Sequence, residues 1–130
     1  MKQKKFFILC LVFCAGIFFA ACNKSAVDAD SPSVVVTRFV KAFAECNLIE
    51  AQKDAYGTLN KTLADGAEKH KSESAKEAWR AKVGGKFDKI QIVDEKIDED
   101  NAVVTASNGS QQSEFYLVKV NGEWKITGMR

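Results

Sequence analysis

The sequence predicts an α+β domain in which N-terminal helices pack on a four-stranded antiparallel meander. Residues 32–83 carry apolar residues at helical spacing, whereas residues 87–129 hold short runs of alternating apolar and polar residues. Asn-Gly pairs at 108–109 and 121–122 separate the last three runs. Asn-Gly is a strong hairpin signal because a type I′ turn needs positive φ at both central residues. Helices covering one face of such a sheet give an α+β fold.

The first helix is predicted to begin at Ser31-Pro32, where a hydroxyl cap precedes a proline at the first helical position. Apolar residues then recur at the spacing i, i+3, i+4 and i+7, namely Val36, Phe39, Val40 and Phe43. This stripe contains no polar residue, and we expect the helix to end near Cys46.

Further helices are predicted up to residue 83. The sequence Asn47-Leu48-Ile49-Glu50 has the residue types of a capping box, so a second helix is expected from Leu48, with Gly57 as its break. Residues 58–83 are expected to be helical with an interruption near Asp65-Gly66. Gly84-Gly85 is expected to end the helical half of the chain.

The remaining residues are predicted to form the four strands of the meander. Residues 98–101 are predicted to be a turn, and the two Asn-Gly pairs close the second and third strands. The expected strands are 87–97, 102–107, 113–120 and 124–129.

The first 21 residues are predicted to be a signal peptide. Three lysines in residues 1–5 precede 16 residues, 6–21, that carry no charge. This run is shorter than the about 20 apolar residues of a bilayer-spanning helix. A basic segment, a short apolar segment and small residues at its end are the features of a secretion signal.

Cys22 follows Phe19, Ala20 and Ala21 at the end of the apolar run. This arrangement resembles the bacterial lipobox, in which two small residues precede an invariant cysteine. The resemblance implies cleavage after Ala21, diacylglycerol on the Cys22 sulfur and acylation of the new N-terminus by a chain such as palmitate. Several acyl chains hold a protein on a membrane more firmly than one. The alternative is an uncleaved N-terminal anchor with a coincidental cysteine.

The chain is therefore expected to have three segments: a lipoprotein signal peptide at 1–21, a lipidated tether at 22–31 and a single α+β domain at 32–130. The tether is polar and short, which places the domain near the membrane surface. In enterobacterial lipoproteins an aspartate after the cysteine favours retention at the inner membrane. Asn23 stands there in this chain, so we expect a cell-envelope protein on the outer membrane that faces the periplasm.

Removing the leader changes both charge and cysteine content. The three lysines of residues 1–5 leave with it, so the formal net charge changes from +2 to −1 and gives no electrostatic case for nucleic-acid binding. Two cysteines leave with the apolar run and Cys22 is acylated, so Cys46 is the only thiol that remains. No internal disulfide can then form, and we expect Cys46 to be a small buried core residue.

The order of these pieces resembles the nuclear-transport-factor-2-like (cystatin-like cone) superfamily, and within it small bacterial lipoprotein domains of unknown function. The likeness rests on the helix "SPSVVVTRFVKAF", the short helix "NLIEAQ" and the terminal hairpin "VNGEWKITGM". It implies a cone between the curved sheet and the first helices. Enzymes of the superfamily place a His, Asp or Tyr inside that cone.

We predict no catalytic residue, metal site or cofactor. The only histidine, His70, lies among charged residues and is expected to be solvated, and the nearby Glu68, Glu73 and Glu77 do not have the spacing of zinc ligands. The sequence contains no glycine-rich phosphate loop, nucleophile elbow or paired-cysteine motif. An enzyme is therefore the least favoured class.

Five aromatic residues are the candidates for lining a cone-shaped pocket: Phe39, Phe43, Trp79, Tyr116 and Trp124. Small-molecule sites are mostly apolar with a few polar groups, so a small apolar ligand fits this set. The alternative is that the five side chains fill the core of a small domain. The sequence favours a membrane-anchored lipoprotein that acts as a non-catalytic binding or accessory module, with an envelope protein or a small apolar ligand as its partner. The alternative is a small-molecule binder that uses the cone pocket.

Overall fold

The computed structural model describes residues 30–130 and confirms the order of helices followed by an antiparallel meander. The predicted signal peptide, its cleavage site and Cys22 lie outside the described residues. The helices are α1 (Pro32–Ala44), α2 (Leu48–Gln52), α3 (Thr58–Lys69), α4 (Glu73–Trp79) and α5 (Gly85–Phe87), with a π-helical turn at Arg80–Gly84 between α4 and α5. The strands are β1 (Gln91–Asp98), β2 (Asn101–Ser107), β3 (Gln112–Val120) and β4 (Glu123–Met129).

Helix α1 begins as the sequence predicts and is capped from two directions. The Ser31 side chain accepts a hydrogen bond from the Val34 N–H, and Pro32 occupies the first turn. Glu95 of β1 adds a second acceptor, because its Oε1 receives the Ser33 N–H at 2.8 Å and the Ser33 hydroxyl at 2.7 Å. A carboxylate at this end is favourable because the first N–H groups of a helix have no partner within it. This contact fixes α1 across the edge strand β1.

The capping box predicted at residues 47–50 is wrong, since Asn47 makes no side-chain cap. Helix α2 ends at Gln52, earlier than Gly57, because the chain turns there to pair with β4. The Ile126 N–H donates to the Asp54 carbonyl at 2.7 Å, and the Tyr56 N–H donates to the Ile126 carbonyl at 2.9 Å. This short parallel bridge attaches the segment after α2 to the sheet edge.

The glycines predicted to break the later helices do not do so. Helix α3 runs through Gly66, which lies against Leu48, and the break comes only after Lys69. Gly84 faces the Ala44 carbonyl at close range, and the helical half continues through it to Phe87. A glycine costs a helix only about 1 kcal/mol relative to alanine. A Cβ at either position would come within 3.1–3.2 Å of its neighbour, so both glycines allow close packing.

The sheet has the order β1-β2-β3-β4, with every neighbouring pair antiparallel. The first strand begins at Gln91, later than predicted, because the chain first turns with Ile90 N–H donating to the Phe87 carbonyl. Strands β2, β3 and β4 bury one face against the helices, whereas β1 has no buried residue. The buried residues of that face are Ala102, Val104, Ala106, Phe115, Leu117, Trp124 and Ile126.

The two Asn-Gly pairs form different turns. Asn121 and Gly122 have φ of 51° and 82°, the positive values of the predicted type I′ hairpin. At the other pair only Gly109 is positive, with φ of 96°. The Asn108 side chain instead accepts the N–H groups of Ser110 and Gln111, at 3.1 and 2.8 Å. This is an Asx-type turn, and the loop between β2 and β3 spans residues 108–111 in place of a two-residue type I′ turn.

Candidate functional site

The space between α1 and the sheet is filled by apolar side chains. Phe39 is fully buried and stacks on Phe43, with ring centroids 5.7 Å apart, and it meets Phe115 edge-on at 6.4 Å. Leu117 and Ile126 close the same layer from β3 and β4. Any ligand-binding surface of the described domain therefore lies outside this layer.

Four of the five aromatic candidates pack in or against the core. Phe39 and Trp124 belong to the buried core. Phe43 and Trp79 are half-buried and pack against it, with their rings 5.1 Å apart in a T-shaped contact. The Trp79 indole N–H donates to the Phe43 carbonyl at 2.7 Å, which fixes the ring on the end of α1.

Tyr116 lies neither in a pocket nor in the core, contrary to the sequence prediction. Side chains alternate along a strand, and Phe115 and Leu117 face the core, so Tyr116 lies on the opposite face of the sheet. Its hydroxyl donates to Glu114 Oε2 at 2.5 Å. This hydrogen bond raises the pKa of Tyr116 and lowers the pKa of Glu114, which also contacts Arg130.

His70 is half-buried, whereas the sequence predicts a solvated position. It is the residue that follows α3, and its ring centroid lies 5.0 Å from that of Trp79 at an interplanar angle of 64°. The chain turns back after α3 to begin α4, and this turn brings the two rings together. Within residues 30–130, the buried His70 Nδ1 has no hydrogen-bond partner.

An arginine between two aspartates is the main polar cluster that the sequence analysis missed. The Arg38 Nε and Nη2 groups donate to the two carboxylate oxygens of Asp54 at 2.8 and 2.6 Å. The Arg38 Nη1 group donates to Asp30 at 2.5 Å. The hydrogen bonds to Asp54 and then to Asp30 raise the pKa of Arg38 above its usual value.

Asp54 holds this cluster in place. Its relative exposure is only 5%, and its backbone carbonyl is fixed by the bond from the Ile126 N–H. The cluster opens into a surface cleft of about 290 Å³ that Trp124 and Lys125 also line. An arginine stays protonated in proteins, and both oxygens of Asp54 already accept its N–H groups. The arrangement therefore suits charge recognition or structural fixation rather than proton transfer.

A signal for this cluster was present in the sequence. Arg38 is the one charged residue in the first nine positions of α1, and it stands three residues after the buried Val35. Residues three apart on a helix are neighbours, so Arg38 borders the apolar face and needs an acidic partner nearby. Asp54 lies sixteen residues further on, and only the turn after α2 brings it back.

The acidic residues around His70 do not form a metal site. Within residues 30–130, no group of three His, Cys, Asp or Glu side chains can hold a metal ion. Glu68 pairs with Lys71 at 2.6 Å, and Glu73 pairs with Lys76 at 3.2 Å. These pairs join neighbouring turns of the helical surface.

The chain belongs to the family described as Domain of unknown function (DUF4878), whose model matches residues 24–127. No curated protein and no solved structure matches this chain. The family match covers all the described helices and strands except the end of β4. In the described part of the chain, no helix is long and apolar enough to cross a membrane.

Proposed function

We propose that this chain is a lipid-anchored, non-catalytic binding or accessory domain of the bacterial cell envelope, held to the membrane through Cys22. The observation that carries the proposal is Phe19-Ala20-Ala21-Cys22 at the end of an uncharged run of 16 residues behind a basic N-terminus. The family match supports the same division of the chain, because it begins at residue 24, two residues after Cys22, and leaves out the expected signal peptide.

We infer that the described domain binds its partner on its surface and has no internal cavity in which a reaction takes place. Phe39, Phe115 and Leu117 occupy the layer between helices and sheet in which the cone resemblance would place a ligand. The buried Asp54 is engaged by Arg38 through both oxygens. These contacts favour a binding surface outside the core over a small-molecule binder that uses the cone, and over an enzyme of the same superfamily.

The point where the tether enters the domain is held in place. Asp30, the first described residue, pairs with Arg38, and Arg38 is fixed to Asp54. Residues 22–29 then span at most about 28 Å, because an extended chain covers about 3.5 Å per residue. The domain works within that distance of the membrane, and Asn23 supports the outer membrane as its site.

Metabolic labelling with a palmitate analogue in a bacterial host tests the anchor. The wild-type chain should take up the label at the size of the processed protein and sediment with membranes. Cys22→Ala should remain unlabelled at the size of the precursor. Cys14→Ala is the matched control, since it removes a cysteine from the same apolar run and should be labelled like the wild type. A labelled Cys22→Ala variant, or an unlabelled and processed wild type, would refute the proposal.

A further inference from the structure

Helices α3 and α4 and the π-helical turn enclose a surface groove of about 500 Å³. Its walls are the apolar side chains of Ala75, Ala78, Trp79 and Val83. This volume falls within the roughly 300–1,000 Å³ of small-molecule sites, which are mostly apolar with a few polar groups. We call it the His70 groove, because His70 lines the end where α3 stops.

One wall of the His70 groove, the Trp79 side chain, is held in place by contacts with Phe43 of α1. Trp79 is fixed by its hydrogen bond to the Phe43 carbonyl at 2.7 Å and by its edge contact with the Phe43 ring. The His70 side chain also lines the groove, and its ring centroid lies 5.0 Å from that of Trp79. A preformed wall of this kind lowers the ordering cost of binding, because the side chains are already immobilised.

Two unpaired positive charges flank these apolar walls. Lys69 and Lys82 both line the groove, and within residues 30–130 neither forms an ion pair. Their neighbours Lys71 and Lys76 are neutralised by glutamates on the same helical surface. The groove thus combines apolar walls with two lysines that form no ion pair within residues 30–130.

Two further features distinguish this part of the helical layer. The π-helical turn Arg80–Gly84 carries Lys82 and Val83 into the groove, and π-turns within helices occur frequently at functional sites. His70 Nδ1 is buried and has no partner within residues 30–130. Unpartnered buried nitrogens are rare in folded proteins.

We propose that the His70 groove binds a small amphipathic anion, an alkyl chain that ends in one carboxylate. The chain packs on Trp79 between Ala75 and Ala78, and the carboxylate lies between Lys69 and Lys82. A docked peptide helix is disfavoured, because it would need apolar anchors along several turns and the groove has the size of one small molecule. The inference rests on the proposed binding function and names its ligand class.

Fluorescence quenching by 8-bromooctanoate tests the assignment, since bromine quenches an indole only at close range. The protein is the chain from residue 22 onward with Cys22→Ser, which contains all the described helices and strands. We expect saturable quenching that Trp79→Phe abolishes and Trp124→Phe retains. Octanoate should displace the probe, and octanol should do so less well. Because this chain carries no lipid, the result does not depend on whether Cys22 is acylated.

Groove variants give the discriminating measurement. Lys69→Ala and Lys82→Ala should each weaken binding by up to about fivefold, the range of an exposed ion pair. Lys61→Ala, an exposed lysine on α3 outside the groove, should leave binding unchanged. Ala78→Leu keeps a good helix former and should block the groove.

Four results would overturn the proposal. The first is the absence of saturable quenching, and the second is equal binding by the Lys69, Lys82 and Lys61 variants. The third is equal competition by octanol and octanoate. The fourth is a protein that does not bind the soluble probe but is quenched by brominated lipid vesicles or binds an acidic amphipathic peptide. The groove would then be a surface for a membrane or for a peptide.

Discussion

Arg38 and Asp54 form a two-point ion pair, with Nε and Nη2 of the arginine 2.8 and 2.6 Å from the two carboxylate oxygens. The pair joins the flank of α1 to the segment that attaches α2 to β4. The Asp54 side chain is only 6% exposed, whereas that of Arg38 is 46% exposed. Loss of the arginine would leave a buried carboxylate without its main donors.

Arg38→Leu should therefore lower the free energy of unfolding by about 1–3 kcal/mol, the cost of leaving a buried hydrogen-bonding group without its partner. Asp30→Asn is the matched control, because Asp30 contacts the same guanidinium with a 53% exposed side chain. It should cost less than about 1 kcal/mol. Urea denaturation of both variants measures the difference. Equal costs would mean that the Asp54 pair does not hold α2 to the sheet.

The Tyr116–Glu114 hydrogen bond should make stability depend on pH at both extremes. The pKa of Glu114 is lowered by folding, so its contribution is lost as the pH falls through that lowered value. The pKa of Tyr116 is raised, so its contribution is lost as the pH rises through the raised value. Tyr116→Phe should lower Tm at neutral pH, and the gap from wild type should shrink toward acid and toward alkali.

The control for this pH series is Tyr56→Phe, which removes a hydroxyl from a tyrosine that is 50% exposed. Its Tm should follow the wild type across the series. A constant gap for Tyr116→Phe at all pH values would contradict the assignment of the two pKa shifts to this hydrogen bond.

Replacing either of two glycines with equally open surroundings by alanine should change the free energy of unfolding in opposite directions. A Cβ would meet nothing within 4 Å at either Gly122 or Gly85, but only Gly122 has positive φ, at 82°. Gly122→Ala should destabilise the domain by about 1 kcal/mol, since an L side chain is strained there. Gly85→Ala, at a helical position, should stabilise it by about 0.4–1 kcal/mol. Thermal or urea unfolding gives both values, and the same sign for both would contradict the turn geometry.

Cys46 should be an unreactive thiol in the folded protein. It is buried, and this burial raises the pKa of its thiol, so little of the reactive thiolate forms at neutral pH. Iodoacetamide should label Cys46 slowly in buffer and rapidly in urea. Equal rates in the two conditions would show that the thiol is accessible in the folded state.

The sequence predicted the parts of the fold that depend on local pattern. The Ser31-Pro32 start of α1 and the Asn121-Gly122 hairpin follow from backbone preferences of a few residues. The same dipeptide at Asn108-Gly109 gave a different turn, because the Asn108 side chain found local N–H donors that compete with the hairpin geometry. Local rules therefore identified where the chain turns more reliably than how it turns.

The candidate sites depend on contacts between distant residues, which one sequence does not display. Arg38 meets Asp54 only because the chain after α2 returns to β4, and His70 meets Trp79 only because the break falls after Lys69 rather than at Gly66. The position of Tyr116 on the opposite face of the sheet could have been predicted from the sequence. Alternation from the apolar Phe115 and Leu117 places it on the opposite face.

The intact mass of the protein purified from the membranes of its own host tests the central claim most directly. A chain that begins at Cys22 and carries two or three acyl chains should give the mass of residues 22–130 plus the lipid, and a lipase should remove part of that excess. A mass equal to the unmodified full chain, or to a processed chain without lipid, would contradict the account of a lipid-anchored domain.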